Sequence, residues 1–130
     1  MSDRDAAEDA APTRILVCTS CRAEGQPLEP RDARAGAVLA RALADNASPG
    51  VEIVPVECMS VCKRPVTVGF SSAGRWTYVW GDFSPEAAPD ILAYAEAYAA
   101  APDGIIPWKQ RPEHLKRHTI ARLPPVVPAV

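Results

Sequence analysis

Residues 51–65 read VEIVPVECMSVCKRP, an extended, β-branched run that ends on Cys58 and Cys62, with Met59, Ser60 and Val61 between the two cysteines. Val51 to Val56 has the composition of a strand, and Asn46, Ser48, Pro49 and Gly50 break the chain just ahead of it. The same arrangement occurs earlier. Arg14 to Cys18 (RILVC) is a short apolar run that stops at Cys18 and Cys21, separated by Thr19 and Ser20, and these four are all the cysteines of the chain. Between the two runs, Arg31 to Asp45 sets Ala35, Val38, Leu39, Ala42 and Leu43 at spacings of three and four, which predicts an amphipathic helix. Strand, helix and strand make a βαβ unit, whose strands run parallel when they pair within one sheet. Both cysteine pairs then follow the carboxyl ends of their strands and arrive at one sheet edge, where open α/β sheets place ligands.

Four thiolates converging on one point suit zinc or an iron–sulfur cluster, since both accept a closed shell of soft sulfur ligands. A two-iron cluster needs two protein ligands on each iron, and two cysteine pairs supply that count. The expected assignment gives Cys18 and Cys21 to one iron and Cys58 and Cys62 to the other, with cross-assignment left open by spacing. Thr19, Ser20 and Ser60, with backbone N–H groups of the ligand loops, are expected to donate hydrogen bonds to sulfur. Lys63 and Arg64 favour thiolates, or serve as a docking patch, or are a solvated basic pair. Two other functions compete. One is a structural zinc knot on the same four cysteines; the other is a thiol–disulfide oxidoreductase using Cys18 and Cys21 with Pro65 near the active edge. Zinc ribbons take ligand pairs from short knuckles, so the βαβ context favours iron–sulfur. The oxidoreductase leaves the second pair unexplained, and Gly25, Pro27 and Pro30 interrupt the stretch where its helix would start.

Downstream, Pro65 to Phe70 (PVTVGF), a turn at Ser71 to Gly74, and Arg75 to Trp80 (RWTYVW) predict a β-hairpin. Trp76, Tyr78 and Trp80 alternate on one face, which is expected to pack against a helix or a partner subunit. A second helix starts at Ser84 and Pro85, or at Pro89, and sets Ile91, Leu92, Ala95, Tyr98 and Ala99 in an apolar stripe before Pro102 and Gly104. Beyond Gly104 the prolines argue against a long regular element. His114 and His118, four apart, read as surface residues of a basic tail.

The chain has 130 residues, 48% of them hydrophobic, and a net charge of -2, which suits one domain. Residues 1–13 are expected as an acidic, disordered tail carrying Asp3, Asp5, Glu8 and Asp9, residues 14–104 as the folded domain, and residues 105–130 as a basic, proline-rich extension. Lacking an apolar run of bilayer length and a secretory pattern, the protein is expected in the cytoplasm, where paired cysteines more often hold metal than form disulfides. A nucleic-acid or membrane partner is not expected, and neither phosphate loop nor nucleophile elbow suggests an enzyme with its own small-molecule substrate.

Cys58-x-x-x-Cys62-x-x-Pro65, followed by an alternating strand, a small turn and an aromatic strand, resembles the second half of the thioredoxin-like 2Fe-2S ferredoxins, a half found also in the cluster-bearing small subunit of respiratory complex I and related hydrogenases. The resemblance covers about residues 14–100. It implies an α/β thioredoxin-like sandwich: a βαβ unit, a β-hairpin and a C-terminal helix on a mixed sheet. It also implies a 2Fe-2S cluster on Cys18, Cys21, Cys58 and Cys62, one-electron transfer to a redox partner protein, and a homodimer. The first pair departs from the pattern, since those ferredoxins separate their first two cysteines more widely. The whole chain, including Pro107-Trp108-x-x-Arg111-Pro112 and Arg122-Leu123-Pro124-Pro125, is similar to a bacterial family of predicted metal-binding proteins associated with cobalamin-synthesis and cobalt-handling genes. That likeness implies electron supply to cobalt or corrin chemistry.

Overall fold

In the computed structural model, which describes residues 11–125, β1 (Thr13–Cys18) and β2 (Val51–Val56) pair in parallel, with Thr13 opposite Val51 and Cys18 opposite Val56. The crossover between them carries α1 (Ala35–Asn46), four residues shorter at its start than the apolar spacing suggests. Arg31–Ala33 forms a single 3-10 turn instead, and Arg34 is extended, so the helix begins only after it. Leu39 and Leu43 of α1 are fully buried, as are Ile15 and Val17 of β1, and all four belong to one core.

β3 (Val68–Ser71) lies antiparallel to β1 on its other side, and β4 (Thr77–Trp80) returns beside β3 as the hairpin partner. α2 (Ala88–Ala100) follows, with Pro89 in its first turn, where a missing N–H costs nothing. α1 and α2 lie against each other and both touch β1. The aromatic stripe packs inside its own chain. Phe70 meets Trp80 edge-on at 4.7 Å and Tyr98 of α2 at 5.5 Å, and the Tyr98 hydroxyl donates to the Trp76 carbonyl at 2.5 Å.

Past Gly104 come a 3-10 turn (Trp108–Gln110), a short helix α3 (Glu113–Arg117) and β5 (Thr119–Leu123), which pairs antiparallel with β4. The extension expected from residue 105 onward thus adds a fifth strand to the sheet, whose order is β2-β1-β3-β4-β5. Pro107, Pro112, Pro124 and Pro125 flank these short elements rather than interrupt them. Residues 1–10 of the expected acidic tail, and residues 126–130, lie outside the described residues. Among the described residues no helix is long and apolar enough to cross a membrane.

Candidate metal centre

The parallel pairing of β1 and β2 continues past their last residues as a backbone ladder. Thr19 N–H donates to the Val56 carbonyl at 2.8 Å and Ser20 N–H to the Glu57 carbonyl at 3.2 Å, which lays the first cysteine loop alongside the entry to the second. The Cys18 N–H in turn donates to the Thr67 carbonyl at 3.1 Å, so the first cysteine is held from β2 on one side and from the entry to β3 on the other. Residues nearly a whole crossover apart therefore meet along one backbone ladder.

The first pair is buried and tightly held. Gly36 N–H, in the first turn of α1, donates to the Cys21 carbonyl at 3.0 Å. The intervening loop is pinned by Gln26, whose side-chain amide receives Ala23 N–H and Ala35 N–H and donates to the Ala33 carbonyl, and by Arg34, whose Nε donates to the Leu28 carbonyl at 3.0 Å. A helix N-terminus therefore does reach this pair, although it starts after the glycine and prolines that separate it from Cys21 in sequence. Cys18 and Cys21 differ chemically. Burial works against the Cys18 thiolate, but hydrogen bonds from Ser20, Cys21 and the Met59 N–H outweigh it and lower the thiol. Burial pushes the Cys21 thiol up to about 11, and the Cys18 charge beside it adds to the rise against opposing hydrogen bonds from Thr67.

The second pair sits on an exposed loop. Cys58 and Cys62 are both free thiols at the surface, and the Ser60 N–H donates to Cys58 Sγ at 3.3 Å. Ser60 itself has φ of 64°, the left-handed turn that points this N–H back at the sulfur. Cys62 and Cys21 line one open cavity of about 580 Å³, together with Ser20, Lys63 and Pro65. Among the described residues no three Cys, His, Asp or Glu side chains stand close enough to grip a metal ion as they are. The donor set fits a thiolate-held group: four free cysteines, two of them fixed and two on an accessible loop that borders the same cavity.

Other expected donors divide. Ser20 Oγ lies 3.6 Å from Cys18 Sγ. Thr19 is not a sulfur donor, because its hydroxyl points along the strand edge and bonds the Val56 carbonyl at 3.2 Å. Ser60 serves through its backbone N–H. Lys63 borders the cavity, whereas Arg64 is occupied in an ion pair with Asp82, Nη2 to Oδ2 at 2.8 Å.

Three residues have contacts that the sequence did not announce. Thr67 is fully buried between the pairs: its carbonyl accepts the Cys18 N–H at 3.1 Å, and its hydroxyl donates to the Arg64 and Val61 carbonyls of the second cysteine loop at 3.4 and 3.5 Å. Asp82, just beyond β4, ties Arg64 to His118 of the C-terminal segment. His114 is half-buried rather than a free surface residue, stacked on Phe83 at 4.1 Å, with Nε2 on the Gly81 carbonyl at 2.9 Å. The single turn of α3 sets it and His118 on one side, facing the Gly81–Phe83 loop.

Residues 15–125 match the family described as "Protein of unknown function (DUF1636)". The chain belongs to that family. No curated protein matches it. Among solved structures, it is similar to a thioredoxin-like [2Fe-2S] ferredoxin from Aquifex aeolicus, with a TM-score of 0.52, 17% sequence identity, and coverage of 85% of this chain and 92% of the ferredoxin. A structure of the wild-type thioredoxin-like [2Fe-2S] ferredoxin from the same organism gives a TM-score of 0.50 at 18% identity, covering 85% of this chain and 97% of that one. The DUF1636 chain therefore has a thioredoxin-like fold: a mixed five-stranded sheet with helices, as in these neighbours.

Proposed function

We propose that this protein is a one-electron carrier whose [2Fe-2S] cluster is held by Cys18, Cys21, Cys58 and Cys62. The observation that carries the reading is the backbone ladder beyond β1 and β2, Thr19 N–H to the Val56 carbonyl and Ser20 N–H to the Glu57 carbonyl, which brings the entrance of the second loop to the first pair. The two ferredoxins of similar fold support it, since each is named for such a cluster. When bound, the group would supply a site that gains and loses a single electron.

The chain's own residues prepare for that ligation unequally. The Cys18 thiol is lowered by its hydrogen bonds, whereas Cys21, with its thiol near 11, gives up its proton only as metal takes its place, so loading releases protons. The Ser60 N–H on Cys58 and the Ser20 hydroxyl beside Cys18 direct donors at sulfur, which stabilises added negative charge there. The exposed Cys58–Cys62 loop closes toward Cys21 to complete the shell. In this reading the protein acts in the cytoplasm on a redox partner protein, with no nucleic acid, membrane or small-molecule substrate, and without catalysis of its own. The ferredoxin likeness suggests a homodimer, and the resemblance to predicted metal-binding proteins associated with cobalt-handling genes suggests cobalamin or cobalt metabolism as its setting.

A second reading has an observation of its own. The lowered Cys18 thiol beside the raised Cys21 thiol is the asymmetry of a dithiol reductant, and an α1 N-terminus lies against it. A zinc knot would use the same four sulfurs. Anaerobic purification separates the three: a red-brown protein that bleaches on dithionite, with equal iron and acid-labile sulfide, supports the carrier. Colourless protein with zinc, or metal-free protein that reduces insulin disulfides, refutes it.

A further inference from the structure

The C-terminal segment and the second cysteine loop share one carboxylate oxygen. Asp82 Oδ2 accepts Arg64 Nε at 3.0 Å, Arg64 Nη2 at 2.8 Å and His118 Nδ1 at 2.9 Å. An ionised carboxylate only accepts, so the His118 Nδ1 carries the proton in this contact. Backbone contacts repeat the tie: Asp82 N–H donates to the Arg64 carbonyl at 3.0 Å, Val66 and Phe83 exchange both their hydrogen bonds at 2.9 and 3.2 Å, and Gly81 N–H donates to the His118 carbonyl at 3.0 Å. A β-carbon on Gly81 would meet the Arg64 side chain at 2.9 Å and Ile120 at 3.0 Å, so a side chain at this crossing point of three segments would force its neighbours to shift. Arg64 follows Cys62 by two positions, and its own N–H is bonded to the Val61 carbonyl at 3.1 Å. The loop that carries the exposed cysteines is thus anchored at its far end by a strap from α3 and β5.

We propose that Asp82 is a positioning residue for the second cysteine loop: it passes the hold of the C-terminal segment, through His118, onto Arg64, and so limits how far Cys62 moves relative to Cys18 and Cys21. The proposal rests on the metal-centre reading for its purpose, but the mechanical link exists in the metal-free chain and is measurable there.

The test is amide hydrogen exchange on the full-length, metal-free chain and on the iron–sulfide-reconstituted chain. Asn tolerates the φ of 64° at position 82, so Asp82→Asn removes the charge without backbone strain, and His118→Gln is the second, independent cut. Asp82→Asn should speed exchange of the Arg64 and Val66 amides roughly two- to fivefold, the range of a half-exposed ion pair, and leave the β1 and α1 amides unchanged. Arg64→Met should do the same, and the double variant should exchange no faster than Arg64→Met alone, because both act through one contact. Release of iron from reconstituted protein to a chelator should quicken in the same variants. Unchanged Arg64 and Val66 exchange in Asp82→Asn, or additive effects in the double variant, would overturn the proposal. A wild-type chain that takes up no iron and sulfide yet shows the exchange pattern would sink the carrier reading and leave the strap standing. One that binds them while Asp82→Asn changes nothing would do the reverse.

Discussion

Gly36 lies so close to Cys18 that a β-carbon built on it would stand 1.9 Å from the Cys18 carbonyl oxygen and 3.2 Å from Thr19 Cα. Both neighbours are backbone, so neither can swing aside. The first turn of α1 therefore covers the first cysteine pair only because residue 36 has no side chain. Gly36→Ala should push the helix off the pair, costing about 1–3 kcal/mol of stability by urea titration and lowering metal content at the same time. An unchanged midpoint would mean that the helix has slack which this geometry denies.

Thr67 should matter to metal affinity more than to folding. Its hydroxyl bonds the Arg64 and Val61 carbonyls of the second cysteine loop, its presence beside Cys21 opposes the rise of that thiol, and it is fully buried. Thr67→Val preserves shape and the N–H but removes the hydroxyl, so the Cys21 thiol should rise further and metal affinity, read by competition with a chelator, should fall about tenfold. Equal affinity in the two proteins would remove Thr67 from the site.

Stability should fall in mild acid because of His114. Burial against Phe83 disfavours its charged form and lowers its pKa below the ordinary 6.5, against the opposing hydrogen bond to the Gly81 carbonyl. Between that lowered value and 6.5 the unfolded chain binds more protons, so stability is complete above about 6.5 and is lost as pH falls through this window. His114→Gln keeps a donor for the Gly81 carbonyl and should flatten the slope. Asp82 adds a second loss at lower pH. Burial raises its carboxyl, but hydrogen bonds from Arg64 and His118 win and hold it below 3.8, so its contribution is present above 3.8 and disappears beneath it. Denaturation midpoints across pH check both windows.

Tyr78 offers a test of the core. Its hydroxyl is buried with no hydrogen-bond partner among the described residues, while its ring stacks on Trp80 at 5.1 Å. Tyr78→Phe deletes the orphaned group and keeps the stack, so stability should hold or rise by about 1 kcal/mol. A loss of that size would show that the hydroxyl has a partner.

Much of this was legible in residues 14–62. RILVC and VEIVPV are short and apolar, each ends at a cysteine pair, and the spacing of Leu39 and Leu43 between them is helical, so the parallel pairing and the shared edge followed from pattern alone. β5 was hidden because Thr119 to Leu123 contains an alanine and an arginine, shows no alternation, and gains its identity only by covering the edge of β4. Thr67, Asp82 and His114 were hidden for another reason. Each acts through contacts with distant segments, and no local motif announces a carboxylate whose partners lie 18 residues before it and 36 after it. The sulfur donors could be named by type, but which of Thr19, Ser20 and Ser60 faces sulfur depends on loop geometry that spacing does not encode.

X-ray absorption on anaerobically purified wild-type protein, beside Cys62→Ala, tests the four-cysteine cluster most directly. The account predicts an iron edge, an all-sulfur first shell and an iron–iron scattering path in the wild type, with the path lost or the shell incomplete in Cys62→Ala. A zinc edge in the wild type, or an iron shell that Cys62→Ala leaves intact, would contradict it.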